Sequence, residues 1–391
     1  MKEYNFDKIV NRKGSNCFKW DQLKEIYGDD DLIPLWIADM DYEIAPEIVE
    51  AIKQRIEHQI YGYTFIPDSY YDAAINWFQK RFQWTVKKEW FEFAPGVVPG
   101  LNIIIGAYTK PGDDIIIQTP VYPPFAKLIK DNGCSVIENP LQKNGDRYEM
   151  DFENLEKIIT PRTRLMILCS PHNPVGRVWT EEELNKLGEI CIKHNILIVS
   201  DEIHADIVYK PNTHTVFSSI NEEFAQNSII CTAPNKTFNI AGFKTANIII
   251  PNEKLRKEYQ IQADKLCIQA GSIPGDIAQE AAYSKGESWY QGLMEYLTNN
   301  LEFTMNFFEK RIPKIKVIPP EGTYLLWLDC EELNINENQL SNFFIKECKI
   351  LLNGGIMFGK EGKLFQRMNI ATSKKVLQEA LERIEKAVNK L

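Results

Sequence analysis

The chain has no apolar run approaching the roughly 20 residues that a membrane helix needs. Its first residues, MKEYNFDKIVNRKG, hold no apolar core of a secretory signal, so no signal peptide is expected. Basic residues never cluster. The formal net charge is −9 and the pI about 5.3, which disfavours nucleic acid and anionic membrane surfaces as partners. No DNA-binding helix pair or basic arm is visible. Eight cysteines are scattered with no C-x-x-C pair and no zinc-like spacing, so no metal centre is expected. Several of them (Cys169, Cys191, Cys231) lie in apolar runs and read as buried reduced thiols, which points to the cytoplasm. The dinucleotide pattern G-x-G-x-x-G and the Walker P-loop are both missing, which argues against NAD and ATP. There is no internal repeat and no low-complexity segment.

What is present is ample core material. Of 391 residues, 44% are hydrophobic and 25% charged, enough for one large or two medium domains. Strand-like apolar runs occur at Phe91–Ala94, Asp114–Gln118, Cys134–Glu138, Arg164–Ser170, Ile196–Asp201, Ser228–Thr232 and Ala246–Ile250. Helical patterns lie between them. In Glu181–His194, Leu184, Leu187, Ile190 and Cys191 mark one face, and Thr180 with Glu183 forms a capping-box pattern. This alternation predicts an α/β fold with a mainly parallel seven-stranded sheet covered on both faces. The C-terminal part reads differently. Long helices over Ile277–Arg311 precede a strand-like run (Thr323–Leu328), a helix (Glu337–Cys348) and an amphipathic helix (Lys374–Leu391). The expected division is an N-terminal segment (1–45) packing with the small domain, a large domain (46–285) and a smaller α+β domain (286–391).

Five loops after apolar runs carry chemistry. In the turn Pro234–Gly242, Lys236 follows a strand-like run, where α/β proteins place ligands. A lysine partly desolvated there loses its proton near neutral pH and can form an imine with a carbonyl compound. Phe93–Gly100 turns into a helix expected over Leu101–Tyr108, and the free N–H groups at a helix start suit a phosphate, although an ordinary turn explains the residues equally. In Gln118–Phe125, prolines fix the backbone around Tyr122, which stacks on a flat ring or packs in the core. Ser170–Gly176 places the Asn173 amide in a turn. Val199–Asp206 puts Asp201 at the end of a very apolar strand, where a carboxylate needs a partner such as a cationic ring nitrogen, or else caps the next helix. Together the loops offer a phosphate cradle, a stacking ring, an amide, a carboxylate and an amine. That is the inventory for pyridoxal 5′-phosphate.

At this point the chain resembles, over nearly its full length, the fold-type I pyridoxal-phosphate enzymes of the aspartate aminotransferase superfamily, class I/II. The wording is most similar to the MalY/PatB-type cystathionine β-lyase (C–S lyase) branch. The signatures are Trp36–Asp41 (WIADMD), Tyr61-Gly62-Tyr63, Thr119–Tyr122 (TPVY), Ser170–Trp179 (SPHNPVGRVW), Ser200–His204 (SDEIH), Asn235–Asn239 (NKTFN) and Arg367-Met368-Asn369. The resemblance implies the pyridoxal-phosphate-dependent transferase fold. It implies that Lys236 carries the cofactor as an imine and that Asp201 keeps the ring nitrogen protonated. It places Asn173 on the ring oxygen, Tyr122 over the ring and the backbone of Val97 and Val98 on the phosphate. Tyr63 would reach the phosphate of a neighbouring subunit, implying a homodimer with shared sites. Arg367 would clamp the α-carboxylate of an amino-acid substrate. Two positions depart from the superfamily. A hydroxyl residue three before the lysine and an arginine eight after it are replaced by Ala233 and Lys244, so phosphate contacts would move to Thr232 or Lys244. His204 stands where many aminotransferases have tyrosine.

The resemblance implies cleavage of L-cystathionine or a related cysteine thioether to pyruvate, ammonia and a thiol. Residue chemistry alone leaves an aminotransferase open, and a regulatory protein that retains the cofactor site is the third possibility.

Overall fold

The computed structural model describes residues 4–268 and 271–391. Its largest sheet has seven strands, in the order Phe91–Ala94, Ala246–Ile249, Ser228–Thr232, Leu197–Asp201, Thr163–Cys169, Asp114–Ile117, Ser135–Glu138. These are the seven runs expected from the sequence, with ends shifted by at most one residue. Aliphatic side chains pointing alternately to either side explain why the inner runs are strands covered on both faces. Ile115, Ile117, Leu165, Ile167, Val199 and Ile229 enter one core, while Ile116, Met166, Leu168, Ile198 and Ile230 enter the other. Ala246–Ile249 runs antiparallel to both its neighbours, and the remaining pairs are parallel. Consequently Ala94, Ile117, Cys169, Asp201 and Thr232 all end at one edge of the sheet.

The helix after Phe91–Ala94 spans Val97–Tyr108, four residues earlier than the apolar pattern from Leu101 suggests. Gly96, at φ 127°, makes the turn, a conformation that side chains with a Cβ rarely adopt. Pro99 falls in the first helical turn, where its missing N–H has no intrahelical acceptor to lose. The helix Glu181–Lys193 opens with the capping box of Thr180 and Glu183. The long helical stretch divides at Gly286 into Ile273–Lys285 and Glu287–Arg311.

A second sheet holds four antiparallel strands, in the order Lys316–Ile318, Leu325–Asp329, Phe365–Asn369, Asn353–Gly354. The N-terminal segment joins this end of the molecule: Ile33–Pro34 pairs in parallel with Ile350–Leu351. No helix among the described residues is long and apolar enough to cross a membrane.

Candidate active site

A cavity of about 590 Å³ opens at the carboxyl edge of the large sheet. Gly96–Pro99, Tyr122, Asn173, Asp201, His204 and Lys236 line one side. Phe18, Trp36–Ala38, Asn353, Phe358 and Arg367 line the other. Five strand ends that are far apart in sequence therefore meet residues carried by the N-terminal segment and the small sheet.

The charged groups here lack the partners that burial normally demands. Asp201 is 5% exposed and, among the described residues, its carboxylate accepts only the backbone N–H of Ile203, at 3.2 Å. Burial pushes its carboxyl up to about 7. Asp201 does not cap a helix, because turns and no regular helix follow it. Arg367 is likewise buried and forms no ion pair among the described residues. Its Nη1 donates to Asn173 Oδ1 (3.1 Å), and its Nη2 donates to Trp36 O (2.7 Å) and Asn353 Oδ1 (2.6 Å). Its Nε meets no acceptor. Phe358 lies beneath the guanidinium, 5.0 Å from ring centroid to Cζ. Burial, and then the positive charge of Arg367, pull the Lys236 amine down to about 8. Burial, with Lys236 and Arg367 adding to it, drives His204 well below the usual imidazole range, so its ring is neutral. His204 Nδ1 is buried without a partner, and the ring meets Tyr324 edge-on at 5.9 Å.

Residues 36–40 form a strap with almost no regular structure, and side chains from elsewhere hold its carbonyls. Trp36 O accepts from Arg367, and Ile37 O accepts from Asn369 Nδ2 (2.6 Å). Ala38 O accepts from Lys236 Nζ (2.6 Å) and from Tyr324 Oη (2.9 Å). Asp39 O accepts from Asn369 Nδ2 (2.7 Å), and Met40 O accepts from Asn239 Nδ2 (3.0 Å). Asn239 Oδ1 also accepts from Met40 N (2.9 Å). Asn369 stands two residues after Arg367 on the same strand, so one strand fixes both the guanidinium and the strap that touches the lysine.

The cavity thus gathers Lys236, Asp201, Asn173, Tyr122, Val97, Val98, His204 and Arg367. It does not include Thr232 or Lys244. Thr232 is a buried strand residue, and Lys244 is exposed at φ 52° beyond the turn that carries Lys236. Tyr63 also lies outside it, fully exposed on the loop before the helix Asp68–Phe82. Tyr324, Asn353 and the Ala38 carbonyl went unnoticed in the sequence. A carbonyl has no residue code, and Asn353 sits on a strand of two residues. Trp36 and Asn369 lay inside signature motifs without a role.

Fold and site together define the class. The chain belongs to the family described as aminotransferase class I and II, whose model matches residues 30–384. Within it the chain is similar to "Cystathionine beta-lyase PatB" of Bacillus subtilis, at 40% identity over 98% of this chain and 100% of that protein. It is similar to cystalysin of Treponema denticola, whose structure contains a pyridoxal 5′-phosphate cofactor, with TM-score 0.97, 36% identity and full coverage of both chains. It is also similar to a PLP-bound protein of Clostridium difficile 630, provisionally described as an aminotransferase, with TM-score 0.97, 44% identity, and coverage of 99% of this chain and 100% of that one.

Proposed function

We propose that the protein is a pyridoxal-phosphate-dependent carbon–sulfur β-lyase. It would convert L-cystathionine or a related cysteine thioether, with one water, to pyruvate, ammonium and a thiol. The observation that carries this is one cavity holding a depressed lysine, an unpaired buried acid and an unpaired buried arginine, in a chain similar over its whole length to PatB.

The donor set fits the cofactor. Asp201 lacks a cationic partner, which a protonated pyridine nitrogen would be. The helix Val97–Tyr108 points its free N–H groups toward the cavity, as a phosphate requires. Asn173 and Tyr122 line the same cavity and would serve as hydrogen-bond donor and stacking ring. When bound, pyridoxal phosphate supplies an aldehyde for the substrate amine and a ring that accepts electrons released at Cα. The protein's own tasks follow. Arg367 orients the α-carboxylate and so turns Cα toward Lys236. Lys236 Nζ, with its proton affinity lowered, takes the Cα proton. Ala38 O accepts from that nitrogen and is itself held by Tyr324 Oη, which restricts where the amine can move. Asp201 keeps an anion at the ring nitrogen.

The same reading makes the active unit a homodimer, with Tyr63 reaching a partner's phosphate. Ile60, Tyr61, Tyr63 and Phe65 are all large, apolar or aromatic, and more than half exposed, which suits a covered surface. It also divides the chain at 45/46 and 285/286, and the cytoplasm is the proposed location.

The aminotransferase alternative rests on the family's name and on the Clostridium difficile protein. The test is product analysis. A lyase releases pyruvate, ammonia and thiol in equal amounts from a cysteine thioether with no 2-oxo acid present. Product that forms only when a 2-oxo acid is supplied, and is aminated in turn, overturns the lyase assignment.

A further inference from the structure

We infer that the site selects cysteine thioethers whose sulfur substituent is uncharged and apolar, and that the Phe18–Trp36 ring pair recognises that substituent. The inference rests on the lyase reading above and narrows its substrate class.

The charges of the cavity are concentrated where the amino-acid head binds. Among the described lining residues, the only acid is Asp201 and the cations are Lys236, Arg367 and Lys127. The first three are committed to the cofactor and the α-carboxylate. The rest of the wall is mainly apolar, with Phe18, Trp36, Ile37, Pro123, Met357 and Phe358, and its polar members Asn235, Asn353 and His204 are uncharged.

This wall is organised before any ligand arrives. Phe18 opens the short helix Phe18–Asp21 and is 58% exposed, with its ring 5.7 Å from Trp36 at 30°. Trp36 meets Tyr27 edge-on at 5.9 Å. Its indole N–H donates to Lys19 O at 3.3 Å, so its one polar atom is already engaged. Phe358 is held edge-on by Trp327 at 5.5 Å, and its carbonyl accepts from Val121 N at 2.8 Å. Met357 is half exposed, and a flexible thioether adapts to different shapes.

Cystathionine carries a second amino-acid head, an ammonium and a carboxylate. Burying those charges requires partners of opposite charge, and apart from Lys127 the described lining residues offer no charged side chain beyond the three already committed. The remaining cation, Lys127, is 75% exposed at its side chain and already paired with the half-exposed Asp131. Ion pairs this exposed contribute little. An apolar substituent instead covers Phe18 and Trp36 and gains by leaving water.

The holoenzyme should be assayed with L-cystathionine, S-methyl-, S-butyl- and S-benzyl-L-cysteine, all of which expel alkanethiolates. We expect kcat/KM for the butyl and benzyl compounds to exceed that for cystathionine by about tenfold or more. Phe18→Ala and Trp36→Ala should each reduce the benzyl-to-methyl ratio, and Phe18→Lys should shift preference toward cystathionine. Calorimetric binding of two unreactive carboxylates gives a readout free of turnover. 3-Phenylpropionate should bind more tightly than glutarate, and Phe18→Ala should shrink the difference. Cystathionine as the best substrate, or ratios unmoved by all three variants, overturns the proposal. If no thioether yields pyruvate while the two carboxylates still discriminate, the lyase reading fails and apolar recognition stands.

Discussion

Two arginines of this molecule are equally well hidden and oppositely provided for. Arg177 is 2% exposed and Arg367 5%. Arg177 donates Nε to Glu321 (2.8 Å), Nη2 to both oxygens of Glu183 (3.0 and 2.8 Å) and Nη1 to Tyr148 O, and it lies over the Trp179 ring. Arg367 has amides, a carbonyl and a phenyl face, but no acid. Two aspartates repeat the contrast. Asp206 accepts from Trp77 Nε1 (3.0 Å) and Thr237 Oγ1 (2.7 Å), whereas Asp201, five residues earlier, accepts a single backbone N–H. A buried charge whose partners are all protein groups ties elements together. One without an opposite charge is waiting for a ligand. Replacing the first kind should damage stability, and replacing the second should damage chemistry.

The largest effect should come from Lys236→Ala. We expect turnover to fall by at least about 10³-fold, as when a reacting group is deleted, while cooperative unfolding persists. Loss of the folded state in urea would place Lys236 with the structural charges. Arg177→Met should lower unfolding free energy by roughly 3–5 kcal/mol, because Glu183 and Glu321 lose their buried counter-charge. An unchanged denaturation midpoint would dissolve the contrast with Arg367. Asp201→Asn should raise the barrier to turnover by roughly 2–3 kcal/mol, as for loss of one preorganised electrostatic group. The cofactor-free protein should become more stable at pH 8 by roughly 1–3 kcal/mol, since an uncompensated buried anion is removed. A matched loss of both properties would contradict the assignment. Asn369→Ala removes two donors from the strap and should lower kcat/KM by about tenfold, measured alongside the absorbance of the bound cofactor, with Asn369→Gln recovering part of the loss.

The smallest effect is in pH. Only the unprotonated Lys236 amine can attack an aldehyde, so capture of pyridoxal phosphate by cofactor-free protein should accelerate as pH rises through about 8, then level off. The folded value lies below the ordinary 10.5, so between these limits the unfolded chain binds more protons. This group's contribution to stability therefore increases with pH from about 8 to 10.5, and urea titrations across that window measure it.

How much was visible beforehand follows the same division. The seven strands of the large sheet were legible because they are continuous apolar runs, most of them buried along their whole length. Their directions were not: nothing in Ala246–Ile249 distinguishes an antiparallel strand from a parallel one. Lys316–Ile318 and Asn353–Gly354 escaped because two or three partly exposed residues give no periodicity. The hairpin of Gln142–Asn144 with Arg147–Glu149 escaped because only Tyr148 is buried in it. Lys236, Asp201 and Arg367 were nominated by motifs, and the structure brings them into one cavity. The strap was opaque because its contacts are made by main-chain oxygens, which every residue type possesses.

That last property bears on how such a site can change over generations. The carbonyl acceptors at positions 36 to 40 belong to the peptide backbone, so no side-chain replacement there deletes them. Mutational fragility is displaced to the donors, among them Arg367, Asn369, Asn239, Tyr324 and Arg12. Trp36 and Ile37 meanwhile remain at liberty to vary. A lineage can retune which sulfur compound it accepts by altering these half-buried faces, while the oxygen that holds the lysine is inherited unchanged.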